Sequence, residues 1–425
     1  MILSEKKFNE ILNLFIILIA STLFFRVFCT SIMIIFVLFC TLFYKKLYFT
    51  KKTSILVLCI ASPFLLELLF FWNNDSLIAG LKSAEKTVSL LLLPICIIGN
   101  KDRINFQMVL RTYVYVSVLL VLFLFIRFMV ISPKFFDVYL KGMELWEVGY
   151  EFANSFGMHG PALNMHLAFI TCCSFWFVFE ALKNKKAVFL NIFFVLLSFF
   201  FVLFVNTRLA LLNVILGVVV IFIYDIMKRY NIQKVILLFI TCAFISAGIM
   251  YFYIQKNPYM KEKYAVVTLA HIDKIGDLDS LENPEAKVSN SLVTRLSIWK
   301  SALELSKKHL LFGVGSSNGK QVLFDYYEKT NQKFLFKYRY PVHNQYLDFT
   351  IKFGILGLLV SFLYMFTLGY LGFTTKNSII IIFFLIFFLT NFVDDFLIRF
   401  DGIVFSGLWS SLFVCYWNKF TDSDK

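Results

Sequence analysis

Charged side chains are scarce in this chain. Lys, Arg, Asp and Glu make up 16% of its 425 residues, where soluble domains carry roughly 25%. Apolar residues reach 59%, with 54 phenylalanines and a mean hydropathy of +0.76. No soluble fold has interior enough to hide that surface without large exposed patches. The short alternating segments of transmembrane strands, about ten residues each, are also missing. The apolar stretches are continuous and about 17–25 residues long, enough to carry an α-helix across roughly 30 Å of hydrocarbon. Composition and period together define an all-α, polytopic membrane protein.

Other absences narrow the chemistry. No CxxC pair or His/Cys cluster offers a metal site, so neither a metal nor a cofactor is expected. The eight cysteines, from Cys29 to Cys415, lie in or at the ends of apolar spans, and no structural disulfide is expected. There is no tandem repeat and no low-complexity linker. No recognition helix or basic soluble domain is present to hold a duplex. The net charge of +14 is mostly topological, and no nucleic acid is expected as a partner.

Spans fall near 9–27, 29–44, 53–72, 78–99, 106–131, 161–181, 187–206, 208–227, 233–254, 346–373, 378–397 and 402–418, about twelve in all. The first follows Lys6 and Lys7 but lacks a small-x-small cleavage site, so it is expected to be retained. Alternate connections carry Lys45, Lys46, Lys51 and Lys52, then Lys101 and Arg103, then Lys183, Lys185 and Lys186, then Lys228, Arg229 and Lys234, then Lys376. The positive-inside rule puts these in the cytoplasm, with both termini. The organisation reads as N-terminal transmembrane helices (1–131), a shorter periplasmic loop (132–160), central transmembrane helices (161–254), a large periplasmic loop (255–345) and C-terminal transmembrane helices (346–425).

The large loop has internal order. DKIGDLDSLENPEAK is polar, acidic and irregular, whereas LVTRLSIWKSALELSKKHLLFGVG predicts an amphipathic helix. Its apolar face is expected to hold Leu292, Leu296, Trp299, Leu303 and Leu310, and Gly313 and Gly315 end it. From Lys307 to His343 run seven cations (Lys307, Lys308, Lys320, Lys329, Lys333, Lys337, Arg339) against Asp325 and Glu328. Such a surface suits an anionic ligand at the membrane, such as a lipid phosphate, although a solvated loop face would look the same.

Three residues sharpen this reading. Arg208, in FVNTRLALLN, sits between two apolar spans, where an ionisable group is costly and marks function by default. Arg295 shares a helix face with Trp299 (i, i+4), and a guanidinium binds phosphate oxygens bidentately. His343, in YRYPVHNQYLDF, precedes a span, and imidazole suits general-base work near neutral pH. Taken singly, each also reads as an ordinary interfacial residue. His166 is expected to be buried among helices.

In order and spacing these positions resemble the O-antigen ligase and O-antigen polymerase superfamily of bacterial envelope glycosyltransferases. The likeness lies in Arg208 opening a mid-chain span, a long late loop, Arg295-x-x-x-Trp299, Gly313-Val314-Gly315, His343-Asn344 and FGILGL from Phe353 to Leu358. It covers roughly 150–375, and the N-terminal third by topology alone. The resemblance implies metal-independent, inverting transfer of a glycan from undecaprenyl diphosphate, at the periplasmic face of the bacterial inner membrane. Arg208 and Arg295 would hold the diphosphate. His343 would take the acceptor's proton or orient its hydroxyl. Arg339, Asn344, Trp299 and His159 (in GMHGP) would line the substrates. The acceptor would be lipid A-core or another glycan, as in a ligase, or a second lipid-linked unit, as in a polymerase. A protein-glycosylating relative belongs to the same class. A twelve-span transporter or lipid flippase is the reading from another class, and it leaves the late loop without a role.

Overall fold

The computed structural model describes residues 3–141, 145–227, 270–288 and 292–423, with isolated positions between 240 and 252. Helices α1 (Glu5–Ser21), α2 (Arg26–Leu42) and α3 (Lys51–Leu69) open the chain. The expected fourth span is two helices, α4 (Leu77–Thr87) and α5 (Ser89–Ile98), broken at Val88. Then come α6 (Phe106–Ile131), the short outer helices α7 (Pro133–Leu140) and α8 (Leu145–Asn154), α9 (Gly160–Asn184), α10 (Val188–Val205) and α11 (Arg208–Ile221). After the loop follow α12 (Leu292–Lys308), α13 (Gly319–Lys329), α14 (Lys333–Tyr338), α15 (Gln345–Thr375), α16 (Ser378–Val393) and α17 (Phe400–Ser423). Among the described residues, seven helices are long and apolar enough to cross a bilayer. The expected span 233–254 lies outside the described residues, apart from those isolated positions.

Three of the cationic segments meet at one end of the bundle. Arg103 pairs with Glu5 (2.7 Å), Lys101 donates to the Tyr48 carbonyl (3.1 Å) and Lys419 to that of Ile104 (2.8 Å). α9 fills the centre, packed by α10, α11 and α16, with Asn164, His166, Thr171 and Ser174 all buried. As expected, His166 is enclosed: its ring stacks on Phe405 at 3.9 Å and Nε2 meets the Asp401 carbonyl at 3.2 Å.

The large loop folds over the other end around its own small core of Val293, Ile298, Leu305, Leu323 and Tyr327. The buried face of α12 is not the one the leucine spacing predicts. Val293, Thr294, Ser297, Ile298, Ser301, Ala302 and Leu305 face inward, while Leu303 is exposed, as is Leu310, beyond the end of the helix. Small hydroxyl residues let α12 approach its neighbours closely, and Ser297 and Ser301 satisfy themselves on carbonyls one turn back.

After α12 the glycine turn plugs into a break in α15. Gly354 takes a backbone conformation (φ 67°, ψ −149°) that interrupts that helix. The freed groups are met by the loop: Ile355 N–H donates to Leu310 O (2.7 Å), Val314 N–H to Ile351 O (2.9 Å) and Gly315 N–H to Lys352 O (3.0 Å). A broken helix survives at membrane depth only when protein satisfies its backbone in this way. The connection after α3 clasps the same turn, with Asn73 donating to Phe312 O, Ser317 N–H to Asn74 Oδ1, and Ser316 Oγ to Glu67 Oε1 (2.8 Å). Beneath it lies a buried ion pair, Lys352 Nζ to Asp348 Oδ2 at 2.6 Å.

Gly315 has no room for a side chain. Its φ is +89°, and a Cβ would collide with the Asn73 carbonyl oxygen. Gly315→Ala should therefore lose more than the roughly 1–3 kcal/mol of the backbone conformation alone. Thermal unfolding of the purified protein checks this; an unchanged midpoint would mean that the turn does not hold the loop in place.

Candidate functional site

The site forms where the loop rejoins the membrane bundle. Asn344 caps α15 by accepting from Leu347 N–H (3.1 Å) and donates to Phe392 O on α16 (2.9 Å). Trp299 of α12 donates from Nε1 to the carbonyls of Val342 (3.1 Å) and His343 (3.3 Å), and its ring meets Phe392 edge-on. These bonds pin His343 between three elements in a left-handed conformation (φ 50°), uncommon for a residue with a side chain. Trp299 and Asn344 thus act on the site through His343.

α16 stops at Val393, four residues short of the expected span, because Asp394 and Asp395 turn aside into charge pairs. His343 Nδ1 lies 3.4 Å from Asp394 Oδ1. Arg399 approaches Asp394 at 3.7 Å and Asp395 at 3.4 Å. The Asp395 N–H donates to Asp394 Oδ1 (2.9 Å) and Gln345 Oε1 accepts from Leu397 N–H (2.8 Å), so side chains replace the lost helical partners. Despite its burial, Asp394 is held well below the ordinary carboxylate range by bonds from His343 and Asp395 and by the Arg399 charge. Asp395 is pushed up to about 8 by burial and by its neighbour Asp394. The pair thus carries about one negative charge near neutral pH, set against Arg399.

His159, just before α9, borders this group. Burial, Arg399 and His343 lower its pKa to about 4, with Asp394 opposing, so the ring is neutral in ordinary conditions. Tyr150 of α8 stands 6.0 Å from His159, ring to ring, within electrostatic reach of Arg295, Asp394 and Arg399. Arg295, half-buried, faces this group with no carboxylate partner among the described residues. Arg208 opens α11. Thr207 before it accepts from Asn164 (2.8 Å), five residues beyond His159, and Asn213 lies 3.5 Å from Thr390, one turn before Asp394. Arg339 stands apart: it is exposed at the end of α14, in a left-handed turn.

Asp394, Asp395, Arg399 and Tyr150 are missing from the sequence-based set. The signal for three of them was available, since DDFLIR interrupts an apolar run, and ionised groups there are expensive. Nδ1 of His343 and one oxygen each of Asp394 and Asp395 lie within 4.8 Å of one another, so these three could hold a cation. Arg399 already lies against both carboxylates and supplies positive charge there.

A neutral histidine, a backed histidine, guanidiniums and a carboxylate pair line one junction of loop and bundle. With the apolar helices they mark a polytopic membrane protein that gathers charged groups at this junction. Residues 192–362 match a family model described as O-antigen ligase. The match supports the chain's place in the O-antigen ligase superfamily, whose members are glycosyltransferase-like ligases and polymerases. It includes Arg208, Arg295, Trp299, His343 and Asn344, and stops before Asp394. No curated protein matches the chain.

Proposed function

We propose that the chain transfers a glycan from undecaprenyl diphosphate to a hydroxyl of lipid A-core or a similar glycan, at the periplasmic face of the bacterial inner membrane. The observation that carries this reading is His343 backed by Asp394 within reach of arginines, where loop meets bilayer. With Nδ1–H directed at Asp394, Nε2 presents its lone pair to the site. It accepts the proton from the acceptor hydroxyl as the oxygen attacks the anomeric carbon. The bond to the diphosphate breaks, its electron pair leaves with the lipid carrier, and the anomeric centre inverts. Asp394 stabilises the imidazolium, and Arg295 and Arg208 stabilise charge gathering on the diphosphate. A diphosphate is a competent leaving group without a metal, so orientation and charge suffice.

A polymerase would use the same donor and residues, and lipopolysaccharide from cells lacking this chain separates the two. Core without long glycan, with lipid-linked polymer accumulating, supports the ligase. Core carrying a single repeat unit assigns a polymerase instead. Unchanged glycan overturns the reading.

A further inference from the structure

α4 carries charge where a membrane-spanning helix ordinarily has none. It and α5, 11 and 10 residues long, cover the span expected at 78–99. The buried side of α4 is small: Gly80, Ser83, Ala84 and Thr87. Its exposed side presents Ile78, Lys82 and Lys86 in one row, beside Leu77, Leu81 and Glu85 in the next. Like charges at i, i+4 destabilise a helix, and ionised groups in a span are expensive. Glu85 and Glu67 offset them only in part.

The row leads to the site. α4 packs against the turn Phe396–Ile398, which Asp395 and Arg399 bracket. Lys86 is in electrostatic reach of Glu67, as are Lys352 and Asp348, and Lys352 in turn reaches Asp395. Above the lysines the outer rim is apolar: Leu77, Ile78 and Trp72 are each about two-thirds exposed, at 69%, 65% and 66%. Exposed cations below an apolar rim, on a helix packed against the Phe396–Ile398 turn, match a lipid that carries phosphate.

We propose that the Lys82–Lys86 row is the docking edge for the diphosphate of a polyprenyl lipid, holding it beside the Asp395–Arg399 turn before transfer. The identity of the lipid rests on the function proposed above; the phosphate chemistry does not. Glu85 limits the net charge of this edge, so its neutralisation should strengthen binding.

The test uses the full-length protein in phosphatidylcholine nanodiscs, titrated with undecaprenyl diphosphate and followed by native mass spectrometry. Lys82→Ala with Lys86→Ala should weaken binding about thirtyfold, the scale of two lysines at a membrane surface. The double arginine variant should stay within about threefold of wild type, since the charge is kept. Glu85→Gln should bind more tightly. Unchanged binding in the double alanine variant overturns the site. Equal displacement by phosphatidylglycerol at the same mole fraction overturns the diphosphate assignment, because any lipid phosphate would then serve. Should the lysine variants lose the lipid while wild type transfers no glycan, the docking edge stands and the glycosyltransferase reading fails.

Discussion

His343→Ala lowers glycan transfer by about 10²–10⁴-fold, the usual contribution of a general base, and leaves the donor lipid bound. The two effects separate because different groups are proposed to serve them: the ring faces Asp394 at 3.4 Å, while arginines on α11 and α12 would hold the diphosphate. His343→Gln distinguishes base from positioning group, since glutamine can hydrogen-bond but cannot carry the proton away. A Gln variant close to wild type would reduce His343 to an orienting residue and shift the catalytic burden to the arginines. Asp394→Asn, acting through the ring, should slow transfer with little change in KM. Asp395 adds a pH signature. Its folded pKa, about 8, lies above the ordinary Asp value of about 3.9. The stability that it contributes is therefore complete below pH 4 or so and lost as pH rises through 8. Asp395→Asn should flatten the loss of thermal stability between about pH 4 and about pH 8; an unaltered slope would place that titration elsewhere.

Arg295→Lys keeps the charge yet should cost about 10²–10³-fold in transfer, the scale for removing one preorganised stabilising donor. The guanidinium offers a planar fork to two phosphate oxygens, whereas an ammonium offers a point charge. Arg295 is half-buried on α12, in electrostatic reach of Tyr150, where its fork is proposed to face the diphosphate. Membrane levels of the variant should be normal. Lys307→Ala and Lys329→Ala, on the outer surface of the loop, should leave transfer within about twofold, because single solvated cations contribute little. The reverse pattern, with the lysines essential and Arg295→Lys active, would remove the diphosphate clamp from α12.

The spans were legible because lipid demands long apolar runs, and the described helices begin and end within a few residues of them for most of the chain. Hydropathy alone could not show that 78–99 breaks at Val88, nor that 378–397 ends at Val393. In the second case an apolar average concealed two aspartates whose burial depends on Arg399 and His343, which are distant from them or follow them in sequence. Arg208 and His343 stood out as polar groups beside spans, and Arg295 by its spacing from Trp299. The pairing of His343 with Asp394 is a tertiary fact without any local signature. Trp299 and Asn344 were expected to line the substrates, and only the fold reveals their bonds around the His343 backbone. The face of α12 was misjudged because leucines mark a core less reliably than close packing does: serine and alanine fill the contact.

The central claim is most directly tested by the purified protein in liposomes, given undecaprenyl-diphosphate-linked glycan and lipid A-core, with both products followed by mass spectrometry. The expected result is glycosylated core with free undecaprenyl diphosphate released in equal amount, in the presence of a chelator, and neither product from the combined His343→Ala and Arg295→Lys variant. Equal product from wild type and that variant would contradict the assignment of the site, and an intact donor with wild type would contradict the function.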